Sequence, residues 1–226
     1  MRPDAVRAIS LDLDDTLWAC RPVIERAERT FYDWLRAEYP AVAAAWTPDA
    51  LLEHRKRFMR ARPELHHDLT ALRKAWLAEL HPGDTHFVET GFRVYWEARN
   101  AVRLYDGVED TLRALRRRYR LGAMTNGNAD VHHIGIGHLF DFVVTAAEVG
   151  AAKPAPDMFR AAAARAGVTL PELLHVGDDW ERDVLGALRA GARAVWVSTQ
   201  SEPDPSDPDV PRIPHVNDLP ALLATD

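Results

Sequence analysis

Residues 5–11 (Ala-Val-Arg-Ala-Ile-Ser-Leu) are almost all apolar and run into Asp12, which predicts a buried strand with a polar tip. The pattern then changes. Val23, Ile24, Ala27, Phe31, Trp34 and Leu35 follow a helical stripe, with Pro22 placed to suit a first helical turn. Further helical stretches are expected at 48–61, 69–80 and 84–100, with no convincing strand among them. From Gly107 the reading alternates. A helix over 108–118 precedes a strand at 120–125; a short helical region leads to a strand at 142–145. A helix at 156–166 lies between Pro156 and Gly167, then come a strand at 173–177, a helix at 180–190 stopped by Gly191, and a strand at 193–198. Residues 200–212, rich in Ser, Pro, Asp and Glu, read as an exposed loop before a short strand near 213–216 and a last helix near 218–224.

This alternation predicts an α/β fold: a Rossmann-like parallel sheet core flanked by helices. After its first strand the core is split by an all-helical insertion. The expected boundaries are 1–17 and 104–226 for the core and 18–103 for the insertion. Hydrophobic residues make up 47% of the 226, enough to build a sizeable core. The balance of 28 basic against 34 acidic residues argues against a nucleic-acid partner. Arg116, Arg117, Arg118 and Arg120, beside Leu112, Leu115 and Tyr119, read as the solvated face of a helix. Cys20 is the only cysteine, which rules out an internal disulfide and fits a reducing compartment. Nothing resembles a signal peptide or a membrane span. The expectation is a soluble cytoplasmic protein, a monomer or weak homodimer, with neither membrane nor nucleic acid as partner.

Active sites of open parallel sheets lie at the carboxyl ends of the strands. Four predicted strand ends carry polar groups here. The first is Asp12-Leu13-Asp14-Asp15-Thr16; the second is Thr125-Asn126-Gly127-Asn128. The third is followed by Lys153-Pro154, and the fourth ends in Gly177-Asp178-Asp179, with Asp183 a helical turn later. Taken singly, each has an ordinary explanation: a helix cap, a strand-end threonine, a loop lysine. Taken together they gather carboxylates that repel one another and call for a hard cation such as Mg2+. Magnesium usually keeps room for substrate phosphate oxygens, and Lys153 and Thr125 then make sense as phosphate partners. Lys153 is one of only three lysines, with Lys56 and Lys74, in a chain otherwise rich in arginine.

In these four motifs, in this order, the chain resembles the haloacid dehalogenase superfamily. The resemblance spans essentially the whole core and makes the helical insertion the family's mobile cap. It implies that Asp12 attacks phosphorus to form an aspartyl-phosphate, and that Asp14 protonates the leaving oxygen and later activates water. Thr125, with backbone N–H groups near Asn126, would bind a phosphoryl oxygen, and Lys153 would stabilise charge and orient Asp12. Magnesium would be held by Asp12, the backbone carbonyl of Asp14, and Asp178, with Asp179 and Asp183 acting through water or by supporting those ligands.

Three other chemistries compete. Dehalogenation uses the same nucleophile on carbon, but the family's 2-haloacid dehalogenases lack the acid at the position of Asp14. Phosphonate hydrolysis needs a cap lysine, and Lys56 and Lys74 lie in Arg-rich helical stretches that read as surface. A non-catalytic binding protein would be expected to lose Asp12 or Asp14. For the substrate, a small phosphate ester, two stretches matter: Thr16–Glu25, and Arg62–Thr70 with Arg73 beyond it. They resemble the bacterial flavin mononucleotide (FMN) phosphatases of riboflavin synthesis, which also hydrolyse 5-amino-6-(5-phospho-D-ribitylamino)uracil. Position 66, aromatic in that pattern, is His66 here. Arg21, His67, Asp68 and Arg73 are the candidate substrate contacts, each with an alternative as helix surface or internal pairing. A sugar phosphate or nucleoside monophosphate is the other substrate choice. Trp34, Trp76 and Trp96 read as the insertion's own core, and His132 and His133 as surface beside the site.

Overall fold

The computed structural model describes residues 5–199 and 210–224. The chain opens with β1 (Ala8–Leu11), every residue of it buried. It then leaves the sheet for five helices: α1 (Cys20–Glu38), α2 (Pro40–Ala43), α3 (Pro48–Arg60), α4 (Leu69–Leu80) and α5 (Thr85–Asn100). It returns through α6 (Val108–Arg116), β2 (Arg120–Thr125), α7 (Val131–Ile134), β3 (Phe142–Thr145), α8 (Ala146–Val149) and α9 (Pro156–Ala166). The series ends with β4 (Leu173–Gly177), a π-turn at Trp180–Leu185, α10 (Gly186–Ala190), β5 (Arg193–Val197), β6 (Arg212–Ile213) and α11 (Leu219–Leu223). Two compact units result: Cys20–Val102, and the segments on either side of it.

The helical unit forms because its caps and stripes agree. Val23, Ala27, Phe31 and Leu35 bury one face of α1 at a spacing of four. Thr47, Asp68 and Asp84 accept N–H groups in the first turns of α3, α4 and α5. The unit's core gathers Phe31, Trp76 and Phe87, with Trp34 packed against them. Trp34 can approach because position 91 is glycine; a Cβ there would lie 2.9 Å from the indole.

In the other unit, six parallel strands lie in the order β3-β2-β1-β4-β5-β6. The chain steps outward from β1 to β2 and β3, then crosses to β4 on the other side. The point where strand order reverses is where ligands bind in such sheets, so β1, β2 and β4 place the site. Buried residues of the sheet pack against Met158, Phe159, Ala162 and Ala163 of α9 and Ala187 of α10.

The elements differ from the sequence reading in two places, and a third reading falls largely outside the described residues. The helix expected at 180–190 starts as a π-turn, in which both Asp183 and Val184 donate to the Asp179 carbonyl, at 2.8 and 3.4 Å. The short strand expected near 213–216 lies at Arg212–Ile213, because His215 instead caps a tight turn by accepting the Asn217 N–H. Most of the loop expected at 200–212 lies outside the described residues.

Candidate active site

The four sequence motifs are built at the carboxyl ends of the central strands. Asp12 follows β1 directly, and its N–H continues the ladder by donating to the Val176 carbonyl. Its side chain is buried, and its Oδ1 accepts from the Lys153 ammonium at 2.5 Å. Lys153, itself buried, also donates to the Met124 carbonyl at 3.1 Å and lies 2.7 Å from Oδ1 of Asp183. All three donors of the ammonium are thereby committed to fixed acceptors.

Asn126 explains how Lys153 is held. Its side-chain amide donates to the Lys153 carbonyl and accepts the Lys153 N–H, at 2.9 and 2.7 Å. With the Asn126 side chain spent on the lysine's backbone, only backbone N–H groups there are left for a phosphoryl oxygen, as the sequence reading expected. Thr125 is buried at the end of β2, its hydroxyl accepting the Gly127 N–H at 2.9 Å. Asp14 is half-buried, and its Oδ1 accepts the indole N–H of the buried Trp18 at 2.9 Å. Asp15 beside it has φ +58°, a left-handed conformation that aspartate tolerates.

Around β4, Asp178 accepts weakly from the Thr16 hydroxyl at 3.3 Å. Asp179 caps the π-turn by accepting the Arg182 N–H, and its own N–H donates to Oδ2 of Asp183. Asp183 is buried directly above Gly177, where a Cβ would meet its Cγ at 2.4 Å. Gly177 is bare so that this carboxylate can occupy the space.

Oxygen atoms of Asp12, Asp178 and Asp183 lie within 4.8 Å of one another. This side-chain cluster differs from the expected ligand set, in which Asp14 took part through its carbonyl. Both oxygens of Asp183 are already engaged, Oδ1 by Lys153 and His175 and Oδ2 by the Asp179 N–H, so it is suited to support rather than to ligate. Asp12 and Asp178 are suited to ligate.

The electrostatics favour a cation. Burial dominates at Asp12 and, with the Asp183 and Asp178 charges, outweighs Lys153, so its carboxyl is pushed up to about 8. Burial, then Asp183 and Asp15, push Asp178 up to about 6. Burial acts against Asp183 as well, yet Lys153 and His175 hold it below the usual carboxylate range. Asp12 and Asp183 keep the Lys153 ammonium above its ordinary value in spite of burial. One ammonium does not balance three carboxylates. An all-oxygen cluster left short of positive charge fits a hard divalent ion such as Mg2+.

The cap candidates sit within the helical unit. Arg21 is exposed and donates to Glu25 at 2.8 Å, and Asp68 caps α4. Arg73 is buried, donates through both terminal nitrogens to Glu28 at 2.9 and 3.1 Å, and stacks on the Tyr95 ring. Asp68 and Arg73 therefore already have structural work. His67 is half-buried. Lys56 and Lys74 each donate to a glutamate, Glu53 and Glu89. His132 and His133 are exposed on α7, with Asp130 accepting both backbone N–H groups.

Sequence reasoning missed Ser10, Trp18 and His175 and the clamp made by the Asn126 side chain. A signal existed for two of them: Ser10 and His175 are the polar residues in otherwise apolar central strands.

Residues 6–191 match the haloacid dehalogenase-like hydrolase family. The chain is 35% identical over 206 residues to the 5-amino-6-(5-phospho-D-ribitylamino)uracil phosphatase YigB of Escherichia coli (strain K12), covering 87% of this chain and 85% of that protein. It is 32% identical over 221 residues to a glyceraldehyde 3-phosphate phosphatase of Methanopyrus kandleri, covering 91% of each. Among solved structures, one described as a 2-haloacid dehalogenase from Pseudomonas syringae pv. Tomato DC3000 superposes with a TM-score of 0.88, at 33% identity over 97% of this chain and 98% of that one. The sheet order, the four strand-end motifs and these matches agree: the chain belongs to the haloacid dehalogenase-like hydrolase family.

Proposed function

We propose that the protein is a phosphoric monoester hydrolase that uses Asp12 as nucleophile and Asp14 as proton-transfer group. The observation that carries this reading is the charge balance: three carboxylates, with Asp12 and Asp178 pushed to higher pKa, around a single buried ammonium. Such a centre suits a divalent cation together with an anionic substrate. Bound there, Mg2+ would supply positive charge to the phosphoryl oxygens and keep Asp12 ionised. Asp12, Asp178 and the Asp14 carbonyl would hold it.

In the first step an Asp12 oxygen forms a bond to phosphorus and the P–O bond to the leaving group breaks. The departing alkoxide takes a proton from Asp14. In the second step Asp14 takes a proton from water, the water oxygen bonds to phosphorus, and the Asp12–phosphorus bond breaks. Inorganic phosphate leaves, with Asp12 and Asp14 restored. Lys153 fixes Oδ1 of Asp12 and lends charge, and Thr125 with the N–H groups near Asn126 steadies a phosphoryl oxygen.

The structural likeness to a protein described as a 2-haloacid dehalogenase favours a second reading, displacement of halide from carbon by Asp12. A halide leaves without a proton and the reaction needs no metal. Asp14, the raised pKa of the Asp178 carboxyl and the shortage of positive charge would then have no use. The phosphatase relatives, aligned over most of the chain, point the same way as the site.

For substrate, the reading is FMN or 5-amino-6-(5-phospho-D-ribitylamino)uracil, with the helical unit acting as a cap that selects it. Its support is the likeness to the ribitylaminouracil phosphatase across both units. With Asp68 and Arg73 occupied, His67 and Arg21 remain the best candidates for reading the ring. A Mg2+-supplemented screen of FMN, the ribitylaminouracil phosphate, sugar phosphates and nucleoside monophosphates tests it. The expected outcome is a higher kcat/KM for a flavin-pathway phosphate. Equal, feeble turnover of all would remove the substrate and leave the phosphatase; halide release from a 2-haloacid without Mg2+ would remove both.

A further inference from the structure

Beneath the site, a buried chain of side chains runs from the sheet interior to the nucleophile. Ser10 and His175 are cross-strand partners on β1 and β4, and both are fully buried. The Ser10 hydroxyl lies 2.9 Å from Nδ1 of His175, and Nε2 lies 3.1 Å from Oδ1 of Asp183. That same oxygen is 2.7 Å from the Lys153 ammonium, which donates to Oδ1 of Asp12. Phe159 packs edge-on against the imidazole, 5.4 Å between centroids.

The hydrogen positions follow from what each group can do. Ionised Asp183 only accepts, so Nε2 must carry a proton and donate it. Burial above all, and the Lys153 charge, hold the imidazole below its ordinary range against the pull of Asp183. A neutral ring protonated on Nε2 must accept at Nδ1, and the Ser10 hydroxyl is the donor in reach. Asp183 is then fixed from three sides: by the imidazole, by the Asp179 N–H, and by the bare backbone of Gly177.

We propose that His175, kept in its Nε2–H form by Ser10, is a positioning residue that aims Asp183, and through it the Lys153 ammonium, at Oδ1 of Asp12. The proposal deepens the phosphatase reading and rests on it. It accounts for the choice of imidazole. A lysine or arginine at position 175 would also hold Asp183, but it would cancel one of the two negative charges that the three carboxylates and Lys153 leave for a divalent ion. An apolar residue would leave Oδ1 of Asp183 to Lys153 alone and let the ammonium follow it away from Asp12. A neutral donor with one fixed proton avoids both.

The test compares three variants with p-nitrophenyl phosphate and Mg2+, reading kcat and KM separately, with thermal unfolding alongside. His175→Phe keeps the bulk and the contact with Phe159 but loses the donor. Its kcat should fall by about 10- to 100-fold, as for other groups that orient a metal-site residue, with KM changed by less than about two-fold. His175→Gln is just as foreign to the packing but keeps an N–H, and should recover most of that loss. Ser10→Ala should cost kcat a smaller factor. A nitrogen-15 correlation spectrum of the wild-type ring should show the neutral Nε2–H tautomer. Wild-type kcat in His175→Phe, parallel losses of activity and stability in the Phe and Gln variants, or a doubly protonated ring would overturn the proposal. A wild-type protein inert to every phosphate ester would mark the failure of the phosphatase reading instead.

Discussion

Each unit buries a cluster of charges, and the two clusters are settled in opposite ways. In the helical unit, Glu28 meets two guanidiniums, Arg73 through a two-pronged contact and Arg55 at 3.1 Å. Burial works against its charge, but the arginines prevail and hold its carboxyl below the usual range. In the α/β unit, Asp12, Asp178 and Asp183 share one ammonium, and two of the three carboxyls are pushed up. A buried carboxylate that its neighbours satisfy is a brace. One that they leave short of charge is waiting for something the chain itself does not supply. This difference, more than any single motif, separates the proposed catalytic cluster from the structural one.

The largest test of the contrast is Asp12→Asn. It should lower kcat by about 10⁴-fold or more, the scale seen when a nucleophile is removed, while the fold keeps or gains stability because a poorly compensated buried carboxylate has gone. Retained turnover would remove Asp12 from the mechanism. Next in size is Gly177→Ala. The new methyl would meet the Asp183 carboxylate at 2.4 Å and push it off Lys153. A displacement near 1 Å costs about 100-fold in rate, so kcat should fall by that order with the substrate's KM little changed. Activity like wild type would show that Asp183 does not need its place.

The helical cluster should behave in reverse. Arg73→Met breaks a part-buried ion pair while Arg55 still meets Glu28, and should cost about 2 kcal/mol in urea unfolding, with kcat nearly unchanged. A raised KM without loss of stability would make Arg73 a substrate contact after all.

The smallest expected effect is on the pH dependence of stability. Asp12 and Asp178 are raised from 3.8 to about 8 and about 6, so the folded metal-free protein holds their protons more tightly than the unfolded chain does. Their stabilising share is full below about pH 4 and is lost as pH climbs through about 6 and about 8. Glu28, lowered from 4.5, has the opposite sign: its share is present above that value and is lost as pH falls. Thermal stability of the metal-free protein should therefore decline from about pH 5 to pH 9, and Mg2+ should remove most of that decline. Metal-free stability that rises across this window would contradict the charge balance.

The sequence carried the strand-end motifs because each is a short contiguous run at a predictable place. The α/β alternation and most helices were legible for the same local reasons, such as Pro156 and Gly167 bracketing α9. Contacts that depend on strand register were not. Ser10 meets His175 only because β1 lies beside β4, and Asn126 meets Lys153 across a gap of 27 residues. The helix expected at 180–190 had ordinary apolar spacing, but the carboxylate of Asp183 had to reach over Gly177, and the wider π-turn accommodates that. Asp68 and Arg73 could be read as substrate contacts because charge and position look alike for a cap residue and a brace. Only their partners, the α4 N-terminus and Glu28, distinguish the two.

The most direct measurement is mass spectrometry of the peptide bearing Asp12, acid-quenched during turnover of a phosphate ester in ¹⁸O-water. If water attacks phosphorus, Asp12 carries a phosphoryl group in the quenched sample, the heavy oxygen appears in inorganic phosphate, and the carboxylate stays unlabelled. Heavy oxygen in the Asp12 carboxylate, with no phosphoryl adduct, would mean attack on an aspartyl ester carbon and would contradict phosphoryl transfer through Asp12.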